Sequence, residues 1–418
     1  MKEIAIIGSG IAGLTSAHLL AKKHKVTVFE KNDYIGGHTA TVDVEMDGET
    51  LAVDTGFIVF NDRTYPYFEK LLSAIGINRK PTQMSFSVHN LDTGFEYNGH
   101  TFSTLFAQRR NILRPKFWHL LWQIVRFNRI CKDIYHSGSY QKGLTLGQFL
   151  DQHKFNDFFR NHYILPMGAA IWSTSIKKMN DFGIEFFIRF FYNHGLLDIT
   201  NRPQWYVIPG GSREYIAPLT EQFKDNIELG ADIAKVQRSN GKVQIHFQNG
   251  DQQEFDDVVF ACHSDQALAL LADPTEQEKQ VLGAIPYTPN SVVLHTDATL
   301  LPKRKAAWAS WNYRLDNNTE RAAVVTYQMN ILQGIESSKP LCVTLNCDDA
   351  IDDNKVLRKF TYHHPVFNSE SLAAQQRRDE INGHNNSYFC GAYWYNGFHE
   401  DGVRSAVDVA KLLGVNFE

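Results

Sequence analysis

Gly8, Gly10 and Gly13 stand in the order G-x-G-x-x-G, directly behind the apolar run Ile4–Ile7 and ahead of Leu14, Ala17 and Ala21 at helical spacing. That pattern suits one task, holding a diphosphate. The first glycine permits a tight turn out of a strand, the second lets the backbone approach the phosphates, and the third lets the helix pack on the sheet. The free N–H groups of the helix's first turn, here at Ile11, Ala12 and Gly13, and the positive end of its dipole then face the anion. Glu30 ends the next apolar run, Val26–Phe29, about twenty residues on. A carboxylate there can accept both ribose hydroxyls of an adenosine and repels a 2′-phosphate. Strand, glycine turn, helix and strand in about thirty residues make a βαβ unit, the context that strengthens an otherwise weak motif.

The segment Glu30-Lys31 leads through Asn32–Ile35 to Gly36-Gly37-His38-Thr39. It resembles the E-x(5)-G-G-[RH]-x-[TS] extension of the flavin amine oxidase and phytoene desaturase superfamily. The resemblance implies FAD, with Lys31, Gly36, Gly37 and Thr39 around the ribose and diphosphate and a cationic or hydrogen-bonding His38 reaching the phosphates. Asp54-Thr55-Gly56-Phe57 resembles the segment beside the flavin ring, which adds Thr55, Gly56 and Phe57. Trp205–Gly211 resembles the superfamily's P-x-G-G return to the FAD domain, and Ala231–Arg238 with Phe255–His263 resembles the strand pair whose Val236 backbone contacts adenine. Tyr388–Gly391 and Gly402–Ala406 resemble the closing motif, in which a helix N-terminus faces the flavin. That implies Gly391, Asp401, Gly402, Val403 and Ala406 at the flavin end. Two positions depart from the pattern: His38 replaces the usual arginine, and Ala392 replaces the usual acid, which passes the ribityl contact to Glu400, Asp401 or backbone. The closing motif has no cysteine where some amine oxidases attach flavin, Cys390 falling in the strand, so non-covalent FAD is expected.

Pro166–Thr174, Asn193–Leu197, Leu294–Asp297, Trp308–Tyr313, Tyr362–Pro365 and Cys390–Trp394 with Gly397–Gly402 together resemble one subfamily. It is the bacterial flavoproteins encoded beside cyclopropane-fatty-acid synthases, similar also to the flavin domain ahead of the methyltransferase in plant cyclopropane synthases. The resemblance spans residues 1–418. It implies an FAD-dependent oxidoreductase acting on a lipid or fatty-acyl substrate by hydride transfer to flavin N5. Desaturation of methyl-branched or unsaturated chains and double-bond isomerisation both fit. An amine oxidase and a flavoprotein subunit docked on a lipid methyltransferase stay open as alternatives.

Removing hydride from carbon calls for an orienting wall and a base for the neighbouring proton. Tyr393 and Trp394, just ahead of the closing turn, are expected at the flavin ring. His194, His295 and His399 are candidate bases, because histidine changes charge near neutral pH; a structural hydrogen bond is the competing reading for each. No metal site is expected, since the sequence has no H-E-x-x-H and no tight Cys/His cluster. The five cysteines are scattered and odd in number, which reads as reduced thiols in a cytosolic protein.

The elements that must position these groups are an α/β, doubly wound FAD-binding domain with a three-layer sheet, and an interleaved α+β substrate domain in amine-oxidase-like fashion. The expected division is 1–80, 202–265 and 380–418 for FAD, and 81–201, mainly helical, with 266–379 for substrate. A hairpin is expected over 40–60, a helix over Tyr67–Ile75 and strands over Ser291–His295 and Ala322–Tyr327. A 43 % hydrophobic content and a net charge of −4 exclude a disordered chain and give no basic footprint for nucleic acid. The apolar N-terminal run is cut by glycines and reads as a strand rather than a signal peptide, and no run of apolar residues is long enough to span a bilayer. One local exception is residues 102–132, which carry seven Lys/Arg, no acid and six Phe/Trp. Phe117, Leu120, Leu121, Ile124, Phe127 and Cys131 share one helical face there. Such a basic, tryptophan-bearing amphipathic helix suits an anionic membrane surface, which would make the protein cytoplasmic and peripheral on the inner membrane face; a core-packing helix with a solvated basic face is the alternative.

Overall fold

The computed structural model describes residues 1–172, 174–316 and 324–417. Its first stretch comprises β1 (Glu3–Ile7), α1 (Ile11–Leu20), β2 (Lys25–Glu30), the hairpin β3 (Thr41–Met46) and β4 (Glu49–Asp54), and α2 (Pro66–Ala74). There follow β5 (Phe86–Asn90), β6 (Phe95–Asn98), the long α3 (Pro115–Ser137) and α4 (Ile184–Asn193). Next come β7 (Ile227–Leu229), β8 (Ile233–Ser239), β9 (Lys242–Phe247), β10 (Gln252–Phe255) and β11 (Asp257–Phe260). The remainder holds β12 (Tyr287–His295), β13 (Trp311–Leu315), β14 (Val324–Gln328), β15 (Cys342–Leu345), β16 (Val356–Pro365), β17 (Ser387–Phe389) and α5 (His399–Leu412). Ser173, Ala322 and Ala323 lie outside the described residues.

One sheet runs β7-β2-β1-β11-β17, parallel throughout. Its strands are almost continuously apolar because both faces are covered. Ile4 and Ile6 face one core with α1 and α5, while Ala5 and Ile7 face another with the three-stranded sheet β8-β9-β10. The alternation of side chains along β1 thus creates the three layers. Every residue of α1 is buried, so this helix is enclosed rather than amphipathic.

The second sheet runs β16-β12-β15-β14-β13-β5-β6, antiparallel except where β13 meets β5. The helices on it enclose an aromatic core in which Phe127 lies 5.6 Å from both Phe155 and Phe159. Truncating such a fully buried ring to alanine costs about 3–5 kcal/mol. The face of α3 that the sequence suggested for lipid goes into this core. Phe117, Leu120, Phe127 and Cys131 are buried and Leu121 and Ile124 half-buried, since that stripe meets α4 and the helices around Phe159. Strands of the two sheets alternate along the chain, so it passes between the two lobes repeatedly.

Candidate functional site

The tip of β1 is shaped by glycines. Gly8 has φ +105° and its N–H donates to Phe29 O at 2.8 Å. A Cβ on Gly13 would lie 1.9 Å from Gly8 O, so only glycine lets α1 pack this closely. Gly10 differs: its conformation is ordinary (φ −69°) and nothing lies within 4 Å of the space a Cβ would take. That opening faces a helix start with no side-chain cap and no acid in its first turn, so the N–H groups at Ile11, Ala12 and Gly13 have no acceptor within the helix. Gly36 N–H donates to Ser9 O at 3.0 Å, and Gly37, at φ +58°, sits so close that its Cβ would be 3.2 Å from Gly10 Cα. A Cβ on Gly402 would press on Ile11, which brings the start of α5 beside the start of α1. The 54–57 segment joins through Phe57 N–H to His38 O at 2.7 Å and Thr55 N–H to Ala40 O at 2.8 Å. Four segments distant in sequence thus converge in a cradle around the open N–H groups of α1's first turn.

His38 is half-buried beside this cradle, its Nε2 enclosed and unpartnered. Its ring is 5.1 Å from Tyr362 and 5.6 Å from His364. Burial, then the neighbouring His364, His263 and His363, holds its pKa down to about 3, so with no anion facing it His38 is a neutral hydrogen-bonding group. An open cradle and a buried ring nitrogen lacking a partner fit a diphosphate. Glu30 accepts from Ser9 N–H (3.0 Å) and Oγ (2.6 Å) through one oxygen, and from Asn32 N–H (2.9 Å) and Nδ2 (2.8 Å) through the other. A ribose diol would exchange with the Ser9 and Asn32 side chains. Lys31 is exposed next to it. Val236 does not offer its carbonyl to a ligand: it is fully buried and accepts from Ala272 N–H at 2.9 Å. Ile233, at a bulge in the same strand and two residues from the Ala231 N–H that binds Glu30 O, is the better placed backbone.

At the flavin-facing end implied by the motif, Val403 and Ala406 are fully buried in the core with α1, leaving only the backbone of α5's first turn for a ligand. Gly391 N–H donates to Ser405 Oγ at 2.9 Å. Asp401 accepts from Phe398 N–H at 2.8 Å and Glu400 accepts from Tyr67 and Phe68 N–H at 3.1 and 2.8 Å, capping α5 and α2 respectively. Burial pushes both carboxyls up to about 7. Thr39 Oγ1, Tyr215 OH and His399 Nε2 form one triangle, with His399 at 3.1 Å from Thr39 and 3.2 Å from Tyr215. The His399 ring stacks on Phe57 at 3.6 Å, and burial keeps it neutral. Thr55 Oγ1 pairs with Tyr362 OH at 3.0 Å.

The expected catalytic side chains divide. Tyr393 and Trp394 pack in the core between the parallel sheet and the three-stranded sheet, where Trp394 Nε1 donates to Phe389 O at 3.0 Å. Both are nearly enclosed, 3 % and 2 % exposed, rather than lining an open wall. His295 spends both nitrogens inside the second sheet, on Thr344 Oγ1 (2.7 Å) and Asp297 N–H (3.0 Å). His194 is different. Its Nδ1 meets Phe190 O at 2.9 Å, its ring stacks on Phe190 at 3.9 Å, and it lines a cavity of about 570 Å³ between the lobes. Phe398, part of a motif in the sequence but given no site role there, packs on both lobes' cores and forms part of that cavity's wall. Its place immediately before the closing helix was the available signal. Arg63, Lys132, His136 and Arg404 also line the cavity, as do Glu400 and Asp401. Asp54, pushed up to about 6 by burial, ties β4 to Ser212 (2.9 Å) and Gln333 (2.9 Å) and so joins the lobes.

A family model described as flavin containing amine oxidoreductase matches residues 11–359. A 45-residue stretch is 56 % identical to a 1-hydroxycarotenoid 3,4-desaturase of Flavobacterium sp., covering 10 % of this chain and 9 % of that protein. Among solved structures, a putrescine oxidase variant superposes with a TM-score of 0.73 at 14 % identity over 99 % of both chains. A CLA-producing fatty acid isomerase from P. acnes superposes with a TM-score of 0.69 at 16 % identity over 98 % of both.

Proposed function

This chain belongs to the flavin containing amine oxidoreductase family, and we propose that, as an FAD-dependent oxidoreductase, it acts on the acyl chain of a lipid. Bound FAD would supply the hydride acceptor, its N5. The glycine cradle, His38 and the first turns of α1 and α5 would hold it. Cys390, directly after β17, is buried with its thiol against Ser16 Oγ at 3.5 Å and its pKa pushed up to about 11, which supports a dissociable cofactor.

The observation that carries the lipid reading is the cavity between the lobes. It combines the Phe398 wall and the His194 ring with Arg63, Lys132 and Arg404, two of which pair with Asp198 in the same lining, Lys132 at 2.6 Å and Arg63 at 3.4 Å. Glu400 and Asp401, pushed up to about 7, are about half ionised at neutral pH and offset a further part of the charge. The small positive excess that is left favours an acyl chain with an anionic head over an alkylammonium substrate. His194 would take the proton from the carbon next to the one losing hydride, giving a new double bond. The names of the relatives, a carotenoid desaturase and a fatty acid isomerase, and the resemblance to flavoproteins associated with cyclopropane-fatty-acid synthases support the same substrate class. Anaerobic mixing of the holo-protein with unsaturated and methyl-branched acyl phospholipids should bleach the flavin or yield an isomer. Bleaching by amines alone would make it an amine oxidase. Turnover only in complex with a lipid methyltransferase would make it that enzyme's subunit.

A further inference from the structure

The solvent side of α3 is not the polar surface that a core-packing helix should present. With Phe117, Leu120, Phe127 and Cys131 turned inward, the outward stripe at spacing four, three and four is Trp118, Trp122, Val125 and Arg129. Trp118 is 45 % exposed, Trp122 55 % and Val125 52 %. The turn before the helix adds Leu113 at 86 %, and Phe102 follows at 72 %. These groups are contiguous: Phe106 lies 4.9 Å from Phe102 and 5.3 Å from Trp118, whose Nε1 donates to Ile112 O at 2.9 Å. Among the described residues thirteen large hydrophobics are exposed, and six of them fall between Phe102 and Val125. Clustering of that kind marks an interaction surface rather than ordinary surface scatter.

The charges identify the occupant. Arg109, Arg110, Arg114, Lys116 and Arg129 are exposed in and around this patch, and no acidic residue occurs between Glu96 and Asp133. We propose that this face docks the protein on an anionic lipid bilayer, with Phe102, Leu113, Trp118 and Trp122 entering the headgroup region and the arginines pairing with lipid phosphates. A protein partner of matching shape would not need a surface so free of acids, and a second copy of the chain would set arginine against arginine. No described helix is long and apolar enough to cross a membrane, so the contact is interfacial. The proposal is independent of the acyl chemistry, which concerns the cavity.

Holo-protein should sediment with vesicles of phosphatidylcholine mixed with phosphatidylglycerol, and not with phosphatidylcholine alone, and rising salt should release it. Replacing Arg109, Arg110 and Arg114 by glutamine should weaken partitioning on the order of a hundredfold. Trp118→Ser with Trp122→Ser should abolish the blue shift of tryptophan fluorescence on binding. Flavin content and melting temperature, unchanged in both variants, confirm folding. Failure of the wild type to sediment with anionic vesicles, or equal sedimentation of the variants, overturns the proposal. So does a solution dimer that the tryptophan variant splits. If vesicle binding fails while detergent-dispersed acyl lipid still reduces the flavin, the docking surface falls and the proposed chemistry stands.

Discussion

The Nδ1 atom of His194 lies 2.9 Å from the carbonyl oxygen of Phe190, and this contact decides which end of the imidazole can react. A carbonyl only accepts, so Nδ1 carries the hydrogen and Nε2 the lone pair. Burial holds the pKa down to about 4, which keeps Nε2 unprotonated across the neutral range. His194→Gln should lower the rate of flavin reduction by about 100-fold to 10,000-fold with flavin content unchanged. In the wild type the rate should fall as pH drops through about 4, not through the ordinary histidine range. Stopped-flow reduction across pH tests both, and a variant as fast as wild type would remove His194 from the chemistry.

Gly10 separates cofactor binding from folding. Nothing lies within 4 Å of its missing Cβ and its φ is −69°, so Gly10→Val should fold with a melting temperature close to that of the apo wild type. The new side chain would occupy the space through which the diphosphate approaches. FAD affinity, read by quenching of flavin fluorescence, should drop by at least about 100-fold, the loss of a few charge-assisted hydrogen bonds. Unchanged affinity would mean the diphosphate lies elsewhere.

Glu400 and Asp401 make stability depend on pH in an identifiable direction. Burial raises both to about 7 in the folded protein, so the folded state binds their protons more tightly than the unfolded state. The stability this contributes is complete below about pH 4 and is lost as pH rises through about 7. Between about pH 6.5 and about pH 8.5 the loss should be about 1 kcal/mol for each group, set against the gain from buried histidines whose folded pKa is lowered. Denaturant titrations of the wild type and Glu400→Gln across that window isolate the carboxyl: the wild type should lose about 1 kcal/mol relative to the variant. A difference that grows in favour of the wild type as pH rises would contradict the assignment.

Arg238 on β8 and Glu278 form a buried pair, 4 % and 2 % exposed, with Nη2 to Oε2 at 2.9 Å. The guanidinium lowers the Glu278 pKa against the effect of burial. Glu278→Ala leaves the arginine only Asp273, at 3.3 Å, and should cost about 2–3 kcal/mol. Because β8 also carries Ile233, FAD binding should weaken in the same variant. A loss under about 1 kcal/mol would show the pair to be hydrated.

The glycine motif and the hairpin at Asp47-Gly48 were legible because their requirements are local. Gly8, Gly36, Gly37, Asp47 and Gly48 all adopt positive φ, and spacing alone announces such positions. What a side chain packs against is not local. Tyr393 and Trp394 sit next to the closing turn in sequence, yet they fill a core contributed by β8, β9 and β11, partners that no neighbouring residue reveals. For α3 the period was clear, but both its stripes carry large apolar residues, so the pattern alone did not say which one faced the core. His194 and His295 read alike until the structure gave one a single acceptor and the other two partners. Phe398 stood in a motif without a role because that role depends on two lobes meeting.

The parallel sheet draws its strands from residues 3–30, 227–260 and 387–389, and this sets the timetable of maturation. During translation the first βαβ unit leaves the ribosome long before β11 and β17 exist to pair beside it, and α5, whose Gly402 abuts Ile11, arrives later still. The nascent chain therefore holds an unclosed sheet edge while more than a hundred residues of the other lobe are being made, a period in which chaperone cover matters. Prosthetic-group loading is accordingly a late event, one that follows synthesis of residues 387–412 rather than accompanying the glycine loop's emergence.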